Sequence, residues 1–212
     1  MDSATLITSF VTLFVIIDPI GLAPLFVALT RGMSTAQRRV IGLRACLVAI
    51  GLLTLFGVAG EAVLRFVGIS MSAFRISGGL LLFFTAFDML FERRTQRREG
   101  QVSAEEELDH HDPSVFPLAT PLIAGPGAMA TMILLVGRSG HGWEGVVAVH
   151  LVMAAVVGCV FTLMLFAGPL ERALGKTGTN VVTRLLGMLL AALSVQFVID
   201  GLMTSGLFPA AA

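Results

Sequence analysis

The sequence predicts an all-α membrane protein: six transmembrane helices arranged as two inverted three-helix repeats, with helices 1 and 4 broken at mid-membrane. Three observations lead there: six apolar runs of about 20 residues, the length that crosses a bilayer, a one-sided distribution of Lys and Arg, and an internal repeat. Of 212 residues, 56% are hydrophobic and 13% charged, where a soluble domain carries roughly a quarter charged residues. A soluble fold of this size cannot enclose so much apolar surface. With a net charge of +0 there is no basic excess to meet phosphates, which argues against a nucleic-acid partner.

The apolar runs cover residues 5–29, 45–64, 71–91, 115–136, 145–165 and 185–207. The first lacks a basic n-region and is too long for the apolar core of a signal peptide, so it reads as an uncleaved helix. Cys46 and Cys159 fall inside apolar runs and read as small core residues, with no disulfide framework.

Loops after the first, third and fifth runs hold Arg31, Arg38, Arg39, Arg44, Arg93, Arg94, Arg97, Arg98, Arg172, Lys176 and Arg184, which is eleven of the 14 basic residues. Only Arg65, Arg75 and Arg138 lie on the other side. Basic loops stay in the cytoplasm, so both termini are expected in the periplasm of a bacterial inner membrane. The longest loop, 92–113, is basic and then acidic, and reads as a solvated cytoplasmic segment without a core of its own. His110, His111 and Asp112 within it have no second cluster at matching spacing, so surface is preferred to a metal site. The loop divides one membrane domain, 1–212, into a first repeat (1–91) and a second (114–207).

Internal similarity supports that division. Pro19 precedes Arg31 by twelve residues, and Pro126 precedes Arg138 by twelve. The third run holds Arg75-Ile-Ser-Gly78 and the sixth holds Arg184-Leu-Leu-Gly187, spaced 44 and 46 residues after those arginines. Ala59-Gly60 and Ala167-Gly168 fall between them in the same order. Three helices per repeat invert the second relative to the first, an architecture recurrent in secondary transporters.

Asp18-Pro19 and Gly125-Pro126-Gly127 interrupt the first and fourth runs. Proline breaks a continuing helix, yet Asp before Pro is a favourable helix start. In hydrocarbon a break survives only where protein or water satisfies the freed backbone groups. Two half-helix N-termini would then converge, each with partial positive charge, beside carbonyls that attract cations. Such a site suits a zwitterion such as an amino acid. Asp18, Pro19, Gly21, Gly125, Pro126 and Gly127 are therefore the expected substrate-binding residues. The plainer alternatives are proline kinks that only shape packing and small residues (Gly21, Gly78, Gly79, Gly127, Gly187) that only permit close helix contact.

An acid inside a membrane span is a functional candidate by default, and Asp18 lies deepest. Its other role is to cap the amide of Gly21 or a neighbour. Asp88, His150, Gln196 and Asp200 are pathway or coupling candidates, with interface snorkelling the alternative for the two acids and a neighbour-helix hydrogen bond for the others. Glu61 and Arg65, four apart, are expected to pair. No zinc-protease, nucleophile-elbow or phosphate-loop signature occurs, so neither an enzyme nor a cofactor is expected.

DPIGLAPLF (18–26), FRISGGLLLF (74–83) and PLATPLIAGPGAMAT (117–131) resemble the MarC family of bacterial inner-membrane proteins. That resemblance implies kinship with the LysE-like exporters, some of whose relatives are classed as neutral amino-acid transporters. It also implies that asparagine is the usual residue where this chain has Asp18, so that charge there is not required for a shared function. The expected function is secondary transport of small metabolites, most readily amino acids, with a proton or sodium as coupling ion and the lipid bilayer as surroundings. A channel and a non-transporting scaffold are the rival readings.

Overall fold

The computed structural model describes residues 3–106, 112–138 and 142–206. Among them the chain is helical and without strands. The elements are α1 (Ser3–Ile17), α2 (Pro19–Leu29), α3 (Thr35–Val67), α4 (Met71–Leu90) and α5 (Arg93–Glu106), then a wide-turned segment, Ser114–Ile123, followed by α6 (Pro126–Arg138), α7 (Trp143–Leu165) and α8 (Ala167–Thr204). Five stretches are long and apolar enough to cross a membrane: Ser3–Leu29, Thr35–Val67, Met71–Leu90, Trp143–Leu165 and Arg172–Thr204. Ser114–Ile123 and α6, bent by 56°, make a sixth if they count as one span.

Local chemistry sets the helix ends. The Ser34 hydroxyl accepts from the Gln37 amide at 3.3 Å while the Gln37 side chain accepts from the Ser34 amide at 2.9 Å, a reciprocal cap. This cap starts α3 ten residues before the apolar run expected at 45. At the other end Gly68 takes φ 84°, the left-handed conformation in which glycine is favoured at helix ends. Glu61 and Arg65 pair at 3.1 Å, as their spacing anticipated. α8 likewise begins before 185 and carries one non-helical residue, Gly175; position 207 lies outside the described residues. Both cysteines are free, and Cys46 is buried.

α1, α2 and α6 are innermost, with Leu13, Ile17, Leu22, Met132 and Leu134 at 0% exposure. α3, α4, α7 and α8 surround them and turn large apolar side chains outward, including Phe66, Phe84, Leu151 and Met188. An exposed apolar surface of this extent belongs against lipid. α3 packs on Ser114–Ile123, α6 and α7, and α7 packs on α1 and α2. α4 touches α6, α8 touches α2, and α4 lies along α8.

Lipid tails are as apolar as leucine, so close packing must hold such helices together. A methyl group added to Gly79 would lie 2.8 Å from the Ser194 carbonyl oxygen, and one at Gly187 would lie 3.3 Å from that of Ala86. The α4–α8 seam is therefore backbone against backbone. Gly78 meets Leu134 as closely, and Gly60 meets Ile133.

The basic half of the 92–113 loop departs from expectation. It forms α5, which packs on α2, α4 and the Ser114–Ile123 segment, and Arg98 is 7% exposed. A solvated segment was expected because four arginines within six residues look like a charged surface; two of them point inward instead. His110 and His111 lie outside the described residues. Asp112 pairs with Arg44 at 2.5 Å and accepts from the Ser114 amide at 3.0 Å. Slight burial pushes its carboxyl up, but these partners outweigh it and hold the group below its ordinary value.

The packing gives a test. Gly79→Ala forces α4 from α8 and is expected to cost about 1–3 kcal/mol. Gly51→Ala, where nothing lies within 4 Å, should leave stability unchanged or raise it. Thermal denaturation in detergent compares the two; equal midpoints would contradict a glycine-tight seam.

Candidate functional site

Two interruptions of helix lie side by side. At the first, Asp18 takes φ 59°, ψ 65°, and its side chain accepts from the Gly21 amide at 3.1 Å. Pro19 follows as the first residue of α2, where its missing amide costs nothing. A methyl group at Gly21 would collide with the Asp18 carboxylate, so glycine there makes the cap possible. At the second, the chain bends between Ile123 and Pro126, and Gly125 brings no side chain to the start of α6. A methyl group on Gly127 would lie 3.0 Å from Ile16 of α1, which sets the two interruptions against each other.

Arg98 joins them. One of its nitrogens lies 3.4 Å from an Asp18 carboxylate oxygen. Another donates to the Ile17 carbonyl at 3.2 Å and to the Leu122 carbonyl at 3.4 Å. These are carbonyls at the ends of the two segments preceding the interruptions, groups a helix end leaves unsatisfied. Four residues earlier on the same helix face, Arg94 donates to the Ile16 carbonyl and lies 3.0 Å from the Met89 sulfur. The carbonyls were expected to attract a cation. The cations they meet are side chains of α5.

Beside this junction is a cavity of about 270 Å³, lined by Arg94, Arg97, Arg98, Asp88, Thr85 and residues 122–123 and 125–128 among others. Asp88 accepts from Arg97 at 2.8 Å. Of the expected binding residues, Gly125, Pro126 and Gly127 line the cavity. Asp18, Pro19 and Gly21 do not; they lie behind Arg98, with Asp18 and Pro19 buried.

The remaining candidates lie elsewhere. Gln196 donates to Asp200 at 2.7 Å, and Asp200 also pairs with Arg138, whose guanidinium stands 4.7 Å over the Phe197 ring. That cluster belongs to the end of α6 and α8, away from the cavity. His150 binds the Val146 carbonyl through Nδ1 at 2.7 Å and directs Nε2 at Gly57 of α3, at a helix–helix seam.

Sequence reasoning missed Arg94 and Arg98. The signal available was their i,i+4 spacing at the start of a helix, together with two sets of freed carbonyls lacking a donor.

Removing one member of a buried ion pair typically costs about 3–5 kcal/mol. Asp18→Asn keeps the cap on Gly21 but deprives Arg98 of its charge partner, so a loss of about 3 kcal/mol is expected. Asp18→Asn combined with Arg98→Gln should lose clearly less than the two single losses together. Chemical denaturation of the four proteins measures this coupling, and strict additivity would refute it.

The chain matches the model of the MarC family integral membrane protein over residues 3–205. It is 38% identical to a UPF0056 membrane protein of Archaeoglobus fulgidus over 92% of this chain and 90% of that one. It is 35% identical to the UPF0056 membrane protein YvbG of Bacillus subtilis, with 94% of each covered. With the UPF0056 inner membrane protein YhgN of Escherichia coli it shares 33% identity, over 93% of this chain and 95% of the relative. No solved structure matches.

Proposed function

The chain belongs to the MarC family of integral membrane proteins, and on that premise we propose that it is a secondary transporter of small metabolites, foremost amino acids. One observation carries the reading: two interrupted helices are joined through Arg98, beside a cavity that the second interruption lines together with arginines and Asp88. Irregular backbone in a membrane protein is tolerated where it lines such a cavity, and carriers place their sites there.

In this reading the halves are inverted repeats that rock about the junction. In its favour, exchanging α1, α2, α3 and α4 for Ser114–Ile123, α6, α7 and α8 preserves the principal contacts, though those of α1 with α6 and α8 have no comparable counterpart. The contact of α3 with α6 becomes that of α7 with α2, and α4 with α6 becomes α8 with α2. Arg75 donates to Thr204 near the end of α8, while its repeat partner Arg184 donates to Glu92 just beyond the end of α4.

Both termini are then periplasmic, in an inner membrane. At 1.5 Å per residue, α1 with 15 residues rises about 22 Å and α2 with 11 about 16 Å. The junction therefore sits on the cytoplasmic side of the midplane, within reach of arginines from a cytoplasmic α5. Proton or sodium coupling remains part of the proposal, with Asp88 the acid that faces the cavity.

Topology is tested by fusions at the C-terminus: alkaline phosphatase should be active and green fluorescent protein dark. A bright fluorescent fusion would overturn it. Transport is tested by counterflow of labelled amino acids into proteoliposomes, where unlabelled solute inside should accelerate uptake. Flux far above carrier rates and without counterflow would favour a channel. A well-folded protein that moves no solute would favour a scaffold.

A further inference from the structure

Three arginines line the cavity, and they are not equally matched by acid. Arg97 is paired with Asp88 and Arg98 with Asp18. Arg94 forms no ion pair among the described residues; its contacts are a backbone carbonyl and a thioether sulfur. A guanidinium does not shed its charge in a protein, and holding it partly buried without an anion is costly. Asp18 and Asp88 act on Arg94 only from beyond ion-pair contact, and two carboxylates against three arginines leave one positive charge in excess at the cavity wall.

The start of α6 adds to the same wall. Gly127 and Ala128 line the cavity, and the first amides of a helix lack partners within it while carrying partial positive charge. At the matching start of α2 the carboxylate of Asp18 satisfies the Gly21 amide. Gly125 stands at the corresponding place before α6 and offers no acceptor side chain. The cavity therefore combines an arginine in excess of its carboxylates and a helix start without a side-chain cap from Gly125, in a volume of about 270 Å³.

We infer that this wall is where a cargo docks its carboxylate, the oxygens accepting from Arg94 and from the first amides of α6 as Asp18 does for α2. Arg98 is not the anchor, because the Asp18 carboxylate already meets its charge, whereas the contacts of Arg94 are a carbonyl and a thioether that carry no charge. The ligand class is a small carboxylic acid, with amino acids included through that group. The inference rests on the transporter reading and assigns its binding end.

Calorimetric titration of the full-length protein in nanodiscs tests it, using acids beside their amides: propionate with propionamide, L-alanine with L-alaninamide, succinate with succinamide. At least one acid should bind, and its amide should bind at least tenfold more weakly. Arg94→Gln should weaken that acid at least tenfold and bring it level with its amide. An amide that binds as well as its acid overturns the inference, as does an acid indifferent to Arg94→Gln or the failure of all three acids to bind. If Arg94→Gln does not fold, the acid-to-amide comparison on the unaltered protein decides alone. Arg94-dependent acid binding without proteoliposome flux would sink the transporter reading and keep the site. Flux of solutes whose amides compete equally would do the opposite.

Discussion

Much of this fold depends on how the carbonyls released by two helix interruptions are satisfied. A buried carbonyl without a donor costs roughly 1–3 kcal/mol, and water is scarce inside a membrane protein. Arg98 answers at both interruptions at once, spanning Ile17 and Leu122 while its charge is met by Asp18. A planar guanidinium with five donors suits several acceptors in different directions, where an ammonium acts as a point charge. The residue that joins the two interruptions thus comes from a third element, α5. α5 is consequently part of the packed structure, and Arg94 on its next turn extends the same service to Ile16.

The two interruptions also differ in chemistry, which decides where ligand chemistry can arise. Asp18 supplies a carboxylate that closes the start of α2 and engages Arg98, so that interruption is internally complete. Around Gly125 the backbone is bare, and the cavity opens on that side. An acid before both α2 and α6 would satisfy both helix starts. Aspartate before α2 and glycine before α6 leave the amides at the start of α6 without a side-chain acceptor from that position.

Legibility in the sequence followed the range of the interaction. The runs 5–29 and 145–165 became Ser3–Leu29 and Trp143–Leu165, because hydrocarbon thickness sets run length locally. The Asp18 cap and the Glu61–Arg65 pair were readable too, being three and four residues apart. Arg94 and Arg98 were not. Their acceptors lie 78 and 81 residues away at Ile16 and Ile17, and a window of ERRTQRREG has the composition of a solvated helix whichever way its arginines face. Hydropathy also began α3 too late, since its first polar turns are held by the Ser34–Gln37 cap and not by apolar burial.

The distribution of packing bears on which seams a rocking transporter can open. α4 and α8 meet through glycines and backbone carbonyls, and parting them would forfeit many short dispersion contacts at once with no solvent to replace them. The junction around Arg98 is polar, borders a cavity and is held by hydrogen bonds of 3.2 to 3.4 Å. Polar contacts that part beside a cavity can be remade to water or to a ligand, so this seam yields at lower cost. Ion pairs near the ends, Arg97–Asp88 and Arg184–Glu92, are exposed on the arginine side and exposed pairs of this kind contribute little. Under the alternating access proposed above, motion would pivot on the glycine seam and work at the arginine junction, where α5 meets the cavity.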